Sequence, residues 1–526
     1  MYVVKKKYNK IKRCYYGVKG IGIKNFVSYM CNKSKTQDNN RYMKWREEHV
    51  LEQDELDRQR KTEFEKTPLI SILVPVYNTN PQFFEEMIDS VCMQTYKKWE
   101  LCIANASPEN QVLLNILKKK SDSRIKVVNV ENMGIAQNTN AALNIAQGEY
   151  IGLLDHDDTL AENALYEIVK LINSGNVDVV YTDEDKMSWD GTEYFEPHFK
   201  SNMNQTLLYS NNYICHFFVV KAVIAKTING FREEYNGAQD YDFILRCIDN
   251  AEDVSHIAKI LYHWRSHKDS TAENPKSKQY AYEAGKKAIT DSLKKKGEDV
   301  VVEDTENPGF YHVKYKLKRK DKVTIIIIYK NKEQEKKQIK KCVKAIKKTA
   351  GYSNYQITFV QKEAKITKEE IKGKYVIVVD DTIEVTKNEW MAEMVAVIQQ
   401  KQVGAVGGKI YKRNETIYHA GIILGREKYA FEDHPRWEYG AFHRESLMQE
   451  VSAVSSDFMA ISVEDFFEIT GGDLQKLDDE KGIGQALYNC GKKVIYNPYV
   501  EAYTEKKSSQ VKMSNVVDRF YGKLEN

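Results

Sequence analysis

Hydrophobic and polar positions alternate in two rhythms from residue 69 onward. Short apolar runs of strand type, Leu69–Tyr77, Trp99–Ala104, Ile125–Val130 and Tyr150–Leu154, are separated by segments with helical spacing. In Pro81–Gln94 the apolar Phe84, Met87, Ile88 and Val91 recur on one helix face. Glu109–Lys120 and Ala136–Ala146 predict two further helices. Strands alternating with helices predict a mostly parallel sheet covered on both faces. The region 163–315 continues with helices and less regular strands. At Val323 the rhythm restarts, with Val323–Tyr329, a Lys-rich helix, Tyr355–Val360 and Tyr375–Asp381 in the same order. We read this as a duplication at domain scale, although two unrelated α/β domains would share much of the pattern. Before residue 67 a strongly charged stretch, Arg46 to Lys66, predicts a single helix. The expected division is an N-terminal extension at 1–66, a first domain at 67–316 and a second at 317–526.

Composition narrows the class. At 526 residues the chain is too long for one core. With 42% hydrophobic and 29% charged residues it is globular rather than disordered. Its eight Cys are scattered without a CxxC pair, which argues against a zinc site or disulfide framework and for reduced thiols in a cytosolic protein. No apolar run approaches the roughly 18–20 residues that span a bilayer, and the first residues offer no apolar signal-peptide core. The net charge of +4 is small. The first 35 residues nonetheless carry ten Lys or Arg, no acid and several aromatics.

The candidate chemistry sits where strands end. Residues 151–158 read Ile-Gly-Leu-Leu-Asp-His-Asp-Asp, an apolar strand closing in three carboxylates. Asp155, Asp157 and Asp158 repel one another unless a cation sits among them. A hard divalent ion with oxygen ligands would answer that repulsion, and ligands of open α/β sheets bind at strand ends. An acidic β-turn is the plainer alternative. The first strand ends in Pro75-Val-Tyr77-Asn78, and the second in Ala104-Asn105-Ala106-Ser107, whose short polar side chains suit a base edge. Residues 236–246 place Gln239, Asp240 and Asp242 at the start of an amphipathic helix.

Together these segments resemble family-2 glycosyltransferases of the GT-A fold, in particular bacterial polysaccharide enzymes, rhamnosyltransferases included, with a Leu-Asp-His-Asp-Asp metal motif. Tyr42-Met-Lys-Trp45, Tyr181-Thr-Asp-Glu-Asp185, Gly230-Phe-Arg232 and Tyr262-His-Trp-Arg-Ser-His267 extend the match over about residues 41–275. The fold class expected is therefore α/β, as two tandem GT-A domains. The resemblance implies an inverting transfer in which a divalent ion, Mg or Mn, neutralises the departing nucleoside diphosphate. Asp157, with Asp158, is expected to hold the ion, and Asp155 to serve the nucleotide-sugar. Asp240 matches the catalytic base, with a helix N-cap as the alternative; Asp242 and Gln239 would position acceptor or base. His267 would complete the metal or diphosphate site, imidazole suiting Mn better than Mg, or be structural. Arg265 would clamp the diphosphate or be a surface charge. Asn105 stands where the family usually has Asp; its amide can still pair with a pyrimidine. Pro75 and Tyr77 are assigned to the nucleotide with it. Asp183 and Asp185 would lie near the sugar, or form a solvated acidic loop.

The second copy, 320–505, resembles the same fold with eroded chemistry. Asp380 and Asp381 remain, Glu480 falls near the base position, Gly482 replaces the second acid, and Tyr503-Thr-Glu505 has lost the late His. The expectation is one competent N-terminal domain and a degenerate second one, with two active domains or a non-catalytic glycan-binding scaffold as rivals. Expected partners are a dTDP-rhamnose or UDP-sugar donor, a lipid-linked glycan acceptor and an anionic membrane surface reached by the basic N-terminus. Nucleic acid is not expected, for want of a groove-reading motif. The expected location is cytoplasmic, peripheral on the inner face of the cell membrane; a free basic tail is the alternative.

Overall fold

The computed structural model describes residues 14–19, 22, 23, 35–266, 279–330, 332–509 and 518–520. The chain forms two compact units. One, here the N-terminal unit, comprises Lys33–Met203 and Asn212–Lys296; the other, the C-terminal unit, takes Gly297–Lys523, Asn204–Asn211 and the described residues among the first 32. This grouping differs from the expected 1–66, 67–316 and 317–526. The reason is local: Asn204 bonds the backbone of Glu450 in both directions, at 2.9 and 3.0 Å, and Tyr311 N donates to Ser210 O.

In the N-terminal unit the strands are β1 (Ile70–Val76), β2 (Trp99–Asn105), β3 (Ile125–Asn129), β4 (Tyr150–Leu153), β5 (Thr159–Leu160), β6 (Val179–Met187), β7 (Tyr194–His198), β8 (Phe218–Lys221) and β9 (Val254–Arg265). They form one sheet in the order β3-β2-β1-β4-β8-β6-β9-β5, with β7 on β6. β1, β2, β3 and β4 pair in parallel, whereas β8 runs antiparallel to β4 and β6. β1 and β4 are largely apolar because helices cover both faces. Pro81–Cys92 buries Phe84, Met87, Ile88 and Val91 against them, and Asn80 caps its first turn.

The charged stretch before residue 67 is two helices, Lys35–His49 and Gln53–Arg60, rather than one from Arg46 to Lys66. It lacks a continuous apolar stripe, so each half docks by its own residues. Tyr42 and Trp45 pack in the first, Trp45 edge-on to Phe199, and Leu56 and Gln59 are buried in the second.

The C-terminal unit begins with a hairpin of β10 (Val300–Asp304) and β11 (Tyr311–Tyr315). Its main strands are β12 (Val323–Tyr329), β13 (Tyr355–Gln361), β14 (Tyr375–Asp380), β15 (Glu384–Val385), β16 (Val403–Lys412), β17 (Ile417–His419), β18 (Gln449–Glu450), β19 (Phe458–Ser462) and β20 (Lys493–Thr504). The order β13-β12-β14-β19-β16-β20-β15 repeats the first sheet strand for strand, less the edge strand β3. The short segment between Val360 and Tyr375 carries a 3-10 turn and no strand. Among the described residues, no helix is long and apolar enough to cross a membrane.

Candidate active site

β4 ends at Leu153, and the chain turns through the acidic run. Asp158 is buried; Tyr262 Oη donates to its Oδ2 at 2.5 Å, and Arg265 N to its Oδ1 at 2.7 Å. Both donors come from β9, which pairs with β5 directly after the turn, so the sheet itself pins this carboxylate. Burial, then Asp157 and Asp155, push the Asp158 carboxyl well above the usual range. His216, just ahead of β8, lies over Tyr262 with ring centroids 4.6 Å apart. Its Nε2 is 3.9 Å from Asp155 Oδ2, and its Nδ1 is 3.3 Å from Glu184 Oε2. Donation of Nδ1–H to Glu184 leaves Nε2 facing the acids, the orientation a metal-ligating imidazole takes. Against the cost of burial, Lys200, His198 and His216 hold Glu184 well below the usual carboxylate range. One ligand atom each from Asp155, Asp158 and His216 lie within 4.8 Å of one another. Two carboxylates and an imidazole, one of the acids buried and crowded by its acidic neighbours, fit a divalent ion of Mn type.

The candidate base stands beside this cluster. Asp240 lies in the first turn of the helix Gln239–Asp249 and caps nothing; Ala238 holds the cap position. Asn212 Nδ2 donates to Asp240 Oδ2 at 3.0 Å, and Cys215 Sγ is 3.6 Å from the same oxygen. Cys215 Sγ is also 3.3 Å from His216 Nε2, so contacts run unbroken from Asp240 to the metal-type cluster. Gln239 Oε1 accepts from Gly237 N and shapes the turn ahead of the helix. Asp242 is buried between Arg232 and Arg246, and Arg246 also bonds the carbonyls of Ile228 and Gly230. Through these pairs it ties the base helix to that loop.

The carboxyl ends of β1, β2 and β3 form a cradle of short amides. Asn105 is buried; its Nδ2 donates to Asn129 Oδ1 at 2.9 Å, and its Oδ1 accepts from Ser107 N at 3.1 Å. Ser107 Oγ in turn accepts from Asn78 N. Pro75 is inside β1, and Tyr77, just beyond it, is 48% exposed beside the cradle mouth.

Several expected site residues are committed elsewhere. Arg265 is buried, with Nε donating to Asp157 O at 2.7 Å, one terminal nitrogen to Trp189 O and the other to Glu86 Oε2 at 2.5 Å. It braces the acidic turn instead of clamping a diphosphate. Asp183 accepts from Lys200 N and contacts His256, both at 2.8 Å; Asp185 binds Tyr42 Oη and His263 Nδ1, both at 2.6 Å. Both are buried structural acids, and Glu184 between them is the residue that reaches His216. Asp157 flanks the cluster without joining its tight set. His267 lies outside the described residues. The pattern reading missed His216, Glu184, Tyr262, Cys215 and Asn212. Tyr213-Ile-Cys-His216 carried a usable signal, a short polar group immediately ahead of an apolar strand.

The C-terminal unit arranges the equivalent positions differently. Ladder register sets Val379 opposite Phe458, as Gly152 opposite Val219 sets β4 against β8. Counting along both pairs puts Asp380 where Asp155 stands and Asp457 where His216 stands. Lys506 Nζ lies between them, 2.9 Å from Asp380 and 2.6 Å from Asp457. Glu480 takes the base place, accepting from Ser456 N at 2.8 Å and from Tyr429 Oη at 2.9 Å. Burial, with Asp457 beside it, pushes Glu480 up to about 7.

Residues 71–228 match the model of the family described as Glycosyl transferase family 2. An uncharacterised protein of Sinorhizobium fredii is 32% identical over 491 residues, covering 84% of this chain and 54% of that protein. The O-antigen biosynthesis protein RfbC of Myxococcus xanthus is 27% identical over 408 residues, covering 71% of this chain and 32% of its own length. The chain thus spans about half or less of these relatives. Among solved structures, residues 1–349 of S. aureus TarS align with a TM-score of 0.35 at 22% identity, over 43% of this chain and 65% of that one.

Proposed function

We propose, from the match of residues 71–228 to the family-2 glycosyltransferase model, that the N-terminal unit transfers a sugar, with inversion, from a nucleoside-diphosphate donor to a surface-polysaccharide acceptor. The observation that carries the reading is the Asp155, Asp158, His216 cluster in contact, through Cys215, with Asp240. The Asn78, Asn105, Ser107 and Asn129 cradle would hold the base of a UDP or dTDP donor, rhamnose or a hexose being the sugar. Asp240 would accept the acceptor hydroxyl proton as its oxygen attacks the anomeric carbon and the bond to the diphosphate breaks. Asp155, Asp158 and His216 would hold a divalent ion, whose charge offsets that gathering on the leaving diphosphate. Asn212 keeps Asp240 aimed, and the Asp242 ion pairs keep its helix in place.

We take the C-terminal unit to be non-catalytic. The missing edge strand and the lysine between Asp380 and Asp457 support this. A relative named for O-antigen biosynthesis supports a glycan acceptor. A lipid-linked acceptor rests on the resemblance to polysaccharide enzymes, and a peripheral membrane location on that acceptor together with the basic first 35 residues. The test is a screen of UDP-, dTDP- and GDP-sugars with Mg²⁺ or Mn²⁺, reading released nucleoside diphosphate. Release from one donor, lost in Asp240→Asn, is expected; no release from any donor in the presence of either ion and a lipid-linked glycan would overturn the assignment.

A further inference from the structure

The C-terminal unit contains a cavity of about 300 Å³ that shares no residue with Asp380, Asp457, Glu480 or Lys506. Its walls are aromatic: Tyr16, Phe310, Trp437, Tyr439, His443 and Tyr499. The rings are fixed in place. His443 lies 4.3 Å from Phe310 and 5.0 Å from Tyr439, centroid to centroid. Tyr439 Oη donates to Glu306 at 3.0 Å, and Asn307 Nδ2 is 3.2 Å from His443 Nδ1. Two consecutive non-glycine residues, Phe442 and His443, hold left-handed backbone there, at φ of 48° and 62°. Strain of this kind persists where the surroundings over-determine it, often at ligand sites.

The charges of the cavity are already spent. Arg436 reaches Glu501 at 2.6 Å, Lys387 is 3.5 Å from the same carboxylate, and Lys409 Nζ donates to Glu445 O at 2.9 Å. Nothing on that floor calls for an anion such as a diphosphate. Tyr499 lines the cavity, but its Oη has no exposed surface and lies toward Glu393 and Glu303, which do not line it, so the hydroxyl is closed to a ligand there. Flat rings suit a ligand with an apolar C–H face, and a volume near 300 Å³ is at the lower bound for small-molecule pockets.

The two copies differ on this face. Tyr411 pairs with Tyr503 as Asp185 pairs with His263, so the strand position that lines the cavity here is a buried structural acid in the N-terminal unit. At this position the cavity wall has no aromatic counterpart in the N-terminal unit.

We propose that this cavity binds a neutral carbohydrate, one or two rings of a glycan chain, stacked on the Phe310–His443–Tyr439 wall. The proposal needs no transfer by the N-terminal unit, and its test does not read activity. The full chain is titrated with neutral tri- and tetrasaccharides of glucose, galactose, mannose, rhamnose and N-acetylglucosamine, with UDP and inorganic diphosphate as charged probes. Saturable quenching of tryptophan fluorescence and saturation transfer to sugar C–H protons are the readouts. At least one neutral sugar is expected to bind. Tyr439→Ala should weaken it about tenfold, the change a lost ring contact brings. Phe310→Leu keeps the apolar packing and should weaken it about two- to tenfold through the lost ring alone. Asp240→Asn should bind as the parent does. The proposal is overturned if no neutral sugar saturates at millimolar concentration, if binding survives both Tyr439→Ala and Phe310→Leu unchanged, or if only UDP or diphosphate binds and the cavity variants abolish it.

Discussion

Replacing Lys506 by Met should destabilise the C-terminal unit in a pH-dependent way. The ammonium sits 2.9 Å from Asp380 and 2.6 Å from Asp457, with side-chain exposures of 32%, 22% and 14% in that order. Removing one partner of a buried ion pair costs about 3–5 kcal/mol because the charges left behind have no compensation. With the lysine a third exposed, the lower end applies, about 3 kcal/mol at pH 7.5. For a unit of this size that is a fall of about 6–12 °C in its melting temperature. The sign with pH follows from the carboxylates. In the parent, Lys506 holds Asp380 below the usual range against the cost of burial. Its contribution is present above the unfolded value of about 3.9 and is lost as pH falls through the lower folded value. In the variant the two acids face each other without a cation, so their folded values rise above the unfolded one. The penalty is then greatest above those raised values and shrinks as protons neutralise the pair, nearly vanishing toward pH 4. Scanning calorimetry of the full chain at pH 7.5 and 5, beside the triple variant Lys506→Met, Asp380→Asn, Asp457→Asn, measures this. Equal melting of parent and Lys506→Met at pH 7.5, or a deficit that does not shrink at pH 5, would refute the reasoning.

Three further outcomes are expected. Asp240→Asn should keep fold and donor binding while transfer falls at least ~10²-fold, the lower end for general acid–base catalysis; an unchanged rate removes Asp240 from the chemistry. Asp242→Ala leaves Arg232 and Arg246 facing each other without their acid and should lower stability by about 3 kcal/mol, with a fall in kcat beyond any change in KM; a variant as stable as the parent contradicts the tether. Mn²⁺ binding by the N-terminal unit should weaken as pH falls, since Asp158 is pushed up by burial and its acidic neighbours, and His216 is raised, against burial, by Cys215 and Glu184; both must lose protons to ligate, and calorimetric titration in buffers of different ionisation enthalpy should detect the release.

Periodicity made the strand order of the parallel half legible, because each strand there is a continuous apolar run bounded by turn residues. β1, β2 and β3 differ from expectation by a residue or two at their ends. The restart at Val323 likewise foretold the second sheet, whereas its missing edge strand is seen only in the structure. Side-chain direction was not legible. The two register shifts between β6 and β9 fall on β9, which advances from Ile257 to Ile260 and on to Tyr262 while β6 advances one residue at a time, so β6 keeps simple alternation. Alternation puts Asp183 and Asp185 on one side and Glu184 on the other, and nothing in the spacing says that the Glu184 side is the one that meets His216. Arg265 was misread for a related reason. Its partners, Glu86, Asp157 and Trp189, are set by tertiary packing, and no spacing along the chain encodes them. His216 was missed because its partners Asp155 and Glu184 lie far from it in sequence, and β8 brings them together by inserting antiparallel between β4 and β6.

Under the proposed function the two copies would meet the same electrostatic demand with different cations, a divalent ion and a lysine, which would set the metal stoichiometry. In the N-terminal unit, Asp155, Asp157 and Asp158 crowd one turn, with His216 opposite, and the buried acid is held well above its ordinary value. Such a site gains most from a divalent ion. In the C-terminal unit the corresponding pair, Asp380 and Asp457, already holds a lysine that Asp457 and Asp380 keep protonated above its usual range despite burial. An ion entering there must displace a tethered charge of its own sign, which a site with one lysine between two acids does not favour. One tightly bound Mn²⁺ per chain is therefore expected, lost on Asp158→Asn and retained in Asp380→Asn. Lys506→Met should raise the count to two, since it frees both carboxylates without removing a ligand. Electron paramagnetic resonance of free against bound Mn²⁺ counts them directly. Two ions in the parent would mean that Lys506 does not stand in for a metal. One ion in both Lys506→Met and Asp158→Asn would place the metal somewhere other than the Asp155, Asp158 and His216 cluster.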